Sequence, residues 1–285
     1  TLEKADLLSF LGVPGSELSL YHFSEAPDLK TVSEVLAANG RPFPPRIAAN
    51  QGAVRYIAER TDLVPVGMLI GPFSLMTKLV ADPIAPVAMA GGGVTAEEEP
   101  SILMVERCLA LAEATVLRSA RAQIDAGARA MIVCEPAANR VYLSPRQLRT
   151  GSDIFERFVL APNRRLSALL RERGVDLIFH DCGELTTEMV RQFAAELRPA
   201  VISLGGSRKL WADAAVVPKD IVLFGNLPTK TFYSDDAMPL EEVARRLGTN
   251  RNALYKLLHD ARQRLHKGLA AQGLSVAELL AAFNG

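Results

Sequence analysis

Val175-Asp176-Leu177-Ile178-Phe179-His180-Asp181-Cys182-Gly183 decides how this chain is read. Val175–Phe179 is a short apolar run entered after Gly174, the signature of a strand buried in a parallel sheet. Directly after it stand an imidazole, a carboxylate and a thiol. Polar, metal-capable groups at the carboxyl end of such a strand lie where α/β enzymes keep their chemistry. His180 and Cys182 stand two positions apart, so both can reach one cation, and zinc accepts both ligand types.

On either side the same grammar repeats. Ser101–Asp125 reads as a long helix stopped by Ala126-Gly127-Ala128, and Ala130–Cys134 comes next as a strand. Asp153–Arg173 reads as the next helix, stopped by Gly174; glycine accepts the left-handed backbone of a helix end without a Cβ clash. Val64–Ile70, Ala200–Leu204 and Ile221–Phe224 are further strands. These runs lack alternation, as expected of strands covered on both faces. Strands alternating with helices predict a parallel sheet, either a barrel or a doubly wound sheet. Five strands are legible where a full barrel has eight. The proline-bearing stretch Thr1–Arg46 reads as loop, with one further strand at Leu18–Phe23.

Composition sets outer bounds. The 285 residues, 49% of them hydrophobic and 22% charged, suit a large α/β domain plus a small module. No apolar run reaches the roughly 20 residues that cross a bilayer, so no membrane partner is expected. The start, Thr1-Leu-Glu-Lys-Ala-Asp, has no signal-peptide layout, and Cys108, Cys134 and Cys182 are odd in number and widely spaced. Reduced thiols and a cytoplasmic location are the expectation.

Near Ser234–Pro239 the composition changes. The division expected is a body, residues 1–236, and an all-α tail, residues 237–285. In the tail Leu240, Val243, Ala244 and Leu247 keep helical spacing, Gly248-Thr249-Asn250 makes a turn, and Leu254, Leu257, Leu258, Ala261 and Leu265 line a second helix. Its other face carries Arg251, Asn252, Tyr255, Lys256, His259 and Arg262, the residues expected to meet DNA. From Pro239 to Gly285 seven basic residues stand against four acids, a modest excess suited to an anionic partner.

The body resembles the uroporphyrinogen decarboxylase superfamily, which includes zinc-dependent methylcobalamin:coenzyme M methyltransferases. The resemblance rests on Gly71-Pro72-Phe73-Ser74-Leu75, Ile132-Val133-Cys134-Glu135-Pro136-Ala137, His180-Asp181-Cys182-Gly183 and Leu223-Phe224-Gly225-Asn226-Leu227-Pro228, spread from about Asp28 to Tyr233. It implies a (β/α)8 TIM-barrel-like fold, complete or lacking its first strands, with its site at the carboxyl ends of the strands. His180 and Cys182 resemble two zinc ligands of the methyltransferase branch. That branch takes a third ligand from a late cysteine, and this chain has no cysteine after Cys182. Cys134, Glu135, Asp181 and Glu184 are the alternatives.

Glu135, Asp181 and Asn226 are the expected catalytic groups. The cofactors implied are zinc and a corrinoid methyl donor. The partners implied are a small-molecule thiol or a tetrapyrrole or corrinoid substrate, with a corrinoid protein as a further partner. The leading expectation is a corrinoid:thiol methyltransferase, with a uroporphyrinogen decarboxylase-like lyase beside it. The tail is similar to the fourth conserved region of bacterial sigma factors, a helix-turn-helix, through Leu240–Gly248 and Asn252–Lys256. That supports an alternative in which the body senses a ligand for a transcription-related DNA binder. A second alternative is a chimera with neither activity.

Overall fold

The computed structural model describes residues 1–38, 41–227, 240–246 and 248–250, and further on residues 252, 253, 256, 259, 260, 263, 264 and 267. The chain forms two compact units, Thr1–Leu227 and Pro228–Gly285.

The first unit opens with three helices, α1 (Leu2–Phe10), α2 (Leu29–Ala37) and α3 (Pro45–Arg60). Five strands come after them: β1 (Val66–Ile70), β2 (Ala130–Cys134), β3 (Asp176–Asp181), β4 (Val201–Leu204) and β5 (Val222–Gly225). Between β1 and β2 lie α4 (Pro72–Met76), α5 (Ile84–Gly91) and the long α6 (Pro100–Asp125). Between β2 and β3 come α7 (Pro145–Arg149), a π-helical turn at Glu156–Leu160, and α8 (Ala161–Glu172). The β3–β4 crossover is α9 (Thr187–Gln192), continued by a π-helical turn at Phe193–Leu197; α10 (Leu210–Asp213) leads to β5.

All four pairings are parallel and the strand order is β1-β2-β3-β4-β5. The order never reverses. Right-handed crossovers between successive neighbours then place every helix on one side of the sheet, which is the winding of a barrel and not of a doubly wound sheet. Burial agrees. Leu69, Val133, Phe179 and Ile202 share one register row, and each is at most 1% exposed against the helices. The next row on the opposite face, Met68, Ile132, Ile178, Val201 and Val222, is aliphatic throughout. At its two ends Met68 is 54% and Val222 58% exposed. Aliphatic layers contributed by neighbouring strands are what a barrel interior contains. Among the described residues β1 and β5 are the two edges of the sheet and do not pair.

The amino-terminal stretch departs from the loop expected of it. Thr1 caps α1, its hydroxyl accepting the Lys4 N–H, and Leu7 and Leu8 are buried. The buried Arg118 of α6 pairs with Asp6, donates to the Arg41 carbonyl at 2.9 Å and stacks on Phe43 at 3.6 Å, so polar residues of α1 point inward. Leu18–Phe23 is a turn and an irregular segment instead of a strand; the Phe23 N–H bonds the Leu79 carbonyl at 2.8 Å.

In the second unit, α11 (Leu240–Arg246) ends at Gly248, whose φ of 65° is left-handed. Asn250 then caps the next helical residues, its side chain accepting the Ala253 N–H at 2.9 Å. Asn252, Lys256 and His259 are helical and exposed. Of the residues expected to meet DNA, Arg251, Tyr255 and Arg262 lie outside the described residues, as do the expected second-helix apolar positions.

Candidate functional site

One register row reaches the carboxyl edge of the sheet: Ile70, Cys134, His180, Ser203 and Phe224. It belongs to the face that the helices leave open, and its outermost member, Phe224, is 63% exposed. Cys134 and His180 are therefore direct neighbours across β2 and β3, and His180 and Ser203 across β3 and β4. His180 Nδ1 lies 2.9 Å from Ser203 Oγ. When Nδ1 carries the proton it donates to that hydroxyl and leaves the Nε2 lone pair available, which is how a second partner orients a metal-binding imidazole. Burial holds the His180 pKa below its usual value, favouring the neutral ring.

Cys182 is exposed, just past the strand. Burial, and next the Asp181 charge, push its thiol above the ordinary range, and burial together with the Cys182 charge does the same for Cys134. Neither thiol is activated on its own; both suit ligands whose deprotonation would be driven by a cation. The approach of Cys182 to β4 requires glycine at 205, because a Cβ there would lie 2.5 Å from the Cys182 carbonyl oxygen.

The three residues expected to be catalytic lie at this end of the sheet, but Glu135 and Asp181 are not on this face. Glu135 is fully buried on the helix side. Its carboxylate accepts from Phe73 N (3.3 Å), Ser74 N (2.5 Å) and Asn163 Nδ2 (2.8 Å), gripping the start of α4 and one turn of α8. Gly71 leaves the room it needs; a Cβ there would collide with that carboxylate. The cause is period two: with Cys134 on the open face, Glu135 must face the helices. Asp181, next to His180, turns inward for the same reason. One oxygen accepts the Gly183 N–H at 2.8 Å, and the other is buried without a hydrogen-bond partner. Burial, joined by the Glu135 charge, raises the Asp181 pKa well above the usual range. Asn226 sits at φ 65°, and its amide donates to the Arg208 carbonyl at 2.9 Å, tying two loops together. Glu135 is thus committed to holding the rim, and Asn226 ties its loops together.

Sequence reading missed the residues that hold this rim. Arg208 pairs with the fully buried Asp213 and donates to the Leu185 carbonyl (2.8 Å) and Thr187 Oγ1 (3.2 Å), binding the β4 loop to the β3 loop. Ser203 carried no motif; only its place opposite His180 reveals it.

A metal fits this site in part. His180, Cys182 and Cys134 have the right donor chemistry for zinc. Among the described residues, however, no three His, Cys, Asp or Glu side chains gather closely enough to hold an ion. Glu135 and Asp181 are turned away, and they do not supply the third ligand.

A parallel, singly wound sheet with a polar row at its carboxyl edge defines a barrel-type α/β protein. The chain belongs to the uroporphyrinogen decarboxylase (URO-D) family, whose sequence profile matches residues 37–253. The match takes in all five strands and also α11. Among solved structures, a methyltransferase from Methanosarcina mazei is similar over 65% of this chain and 52% of its own, at 18% identity and a TM-score of 0.48. The chain thus spans about half the length of that protein. No curated protein matches. Among the described residues, no helix is long and apolar enough to cross a membrane.

Proposed function

We propose that this URO-D family chain is a thiol methyltransferase whose protein donors to zinc are His180 and Cys182. The observation that carries the reading is the Ser203-anchored imidazole on the open face, with Cys182 one step beyond it and Cys134 beside it. Zinc, when bound, would supply acidification of a substrate thiol at neutral pH. The chain's own residues do the rest. Ser203 fixes the ring of His180, Gly205 admits the Cys182 backbone, and the Arg208–Asp213 pair holds the loops around them. The aliphatic row from Met68 to Val222, exposed at its two ends and half-buried between them, provides an apolar surface suited to a tetrapyrrole-type methyl donor, free or carried by a corrinoid protein. The raised thiol pKa values favour cysteines that act as ligands over a cysteine that attacks by itself.

The test is methyl transfer from methylcobalamin to coenzyme M with zinc added, alongside a decarboxylation assay on uroporphyrinogen. Transfer by the parent chain, lost in His180→Ala and Cys182→Ala, is the expected result. Decarboxylation without transfer, or transfer indifferent to both substitutions, would overturn it.

A second activity is proposed for the tail on a separate observation. Asn252, Lys256 and His259 recur on exposed helical positions, with Arg264 and Lys267 exposed further on. Such a face suits weak contact with DNA, chiefly through phosphates.

A further inference from the structure

A cavity of about 590 Å³ lies on the first unit between α1, the Gly15–His22 loop and the residues just after α4. Lys4, Arg46 and Lys78 line it, with Ser19, His22 and Thr77. It contains three side-chain cations, a histidine and three hydroxyls, those of Thr1, Ser19 and Thr77, and no carboxylate side chain is among its lining residues. None of the three cations takes part in an ion pair among the described residues.

Lys4 makes this a built feature and not a chance grouping of surface charges. It is only 7% exposed. Its ammonium donates to the carbonyls of Tyr21 (2.8 Å) and Ser19 (3.3 Å), so it folds the loop that forms one wall and keeps its third N–H. Arg46 stands in the first turn of α3 and Lys78 just after α4, and both are exposed at the cavity edge. Burial and the Lys78 charge both push the Lys4 pKa down, so the two ammonium groups feel each other. Glu3, the neighbour of Lys4 on α1, is buried and bonded to the Ile70 backbone; it is not a lining residue, but its charge reaches the amino group of Thr1, which is one. Like charges gathered around a hollow whose lining side chains include no carboxylate favour an anionic occupant.

We infer that this cavity binds a small molecule through a multiply charged oxyanion, a phosphate or a cluster of carboxylates. Arg46 supplies a planar fork that can take two oxygens, Lys78 and Lys4 supply point charges, and Ser19 supplies a neutral donor. The inference does not depend on zinc or on methyl transfer.

The test is calorimetric titration of the whole chain with inorganic phosphate in one arm and citrate in the other, at fixed ionic strength and against chloride. Saturable binding of either probe is expected, and the tighter one identifies the headgroup. Arg46→Ala and Lys78→Ala are exposed changes that leave the fold intact. Each should weaken binding about tenfold or more, the loss expected for a charge-assisted contact. Lys78→Arg should retain most of it. If neither probe saturates, or both alanine variants bind like the parent, the inference is wrong. Zinc content, measured in parallel, separates this outcome from failure of the methyltransferase reading.

Discussion

His180 Nδ1 and Ser203 Oγ lie 2.9 Å apart across the β3–β4 ladder. Because the two residues are register partners, the contact is built into the sheet and does not depend on a loop. Ser203→Ala should leave the fold unchanged but free the ring to rotate. Loss of such an outer partner typically weakens metal affinity by about 10–100-fold. With only two well-placed donors, the parent should already hold less than one zinc per chain after dialysis, and Ser203→Ala less again. Competition with a chromogenic chelator measures both. Stoichiometric zinc that resists the chelator would mean that a third ligand, with Cys134 the best placed, completes the site.

Glu135 should matter for stability before activity. Its carboxylate is the acceptor for two backbone N–H groups of α4 and the Asn163 amide, all buried. Glu135→Ala strands these donors, and each unsatisfied buried donor costs about 1–3 kcal/mol. The expected loss is therefore at least about 3 kcal/mol, read as a lower urea midpoint. Glu135→Gln, which keeps one acceptor oxygen, should lose less. A loss below about 1 kcal/mol for the alanine variant would show that the helix start is held by other contacts.

Glu135 and His180 mark what the sequence could and could not tell. The strands and the edge at which chemistry gathers were legible, because apolar runs and glycine stops are local signals. The facing of Glu135 and Asp181 was not. Strands rich in apolar residues on both sides show no alternation, so nothing in β2 or β3 says which parity meets the helices. Only the register row through Leu69, Val133, Phe179 and Ile202 settles it. Helix α1 was hidden for a related reason. Glu3, Lys4 and Asp6 are buried beside Leu7 and Leu8, which erases the apolar stripe by which a helix is recognised.

For the tail, a DNA-binding role implies a particular salt response. With three or four phosphate contacts, log affinity against log salt should have a slope of about −3 to −4. Fluorescence anisotropy with duplex DNA at several salt concentrations gives that slope. Lys256→Ala, on an exposed helical position, should weaken binding, and the slope should fall by about one if Lys256 meets a phosphate. Tight, sequence-selective binding at physiological salt would instead make regulation the chain's main activity, and a flat salt response would remove the DNA reading.

Stability should also respond to pH through Glu3. Burial raises the Glu3 pKa from 4.5 to about 7, with hydrogen bonds from its own backbone and that of Ile70 offsetting only part of the effect. The folded chain therefore binds this proton more tightly than the unfolded chain. Below pH 4.5 Glu3 is protonated in both states, and its burial carries no charge penalty. Between 4.5 and 7 the unfolded chain releases the proton first, so stability falls as pH rises. Above 7 the penalty is complete, on the order of 3 kcal/mol for a shift of this size. Glu3→Gln removes the titration. The variant should match the parent near about pH 4 and exceed it by an increasing margin up to about pH 8, as read from urea unfolding at each pH. The comparison between the two chains cancels the other titrating groups. A stability difference that stays constant across that range would show that Glu3 does not change its protonation on folding.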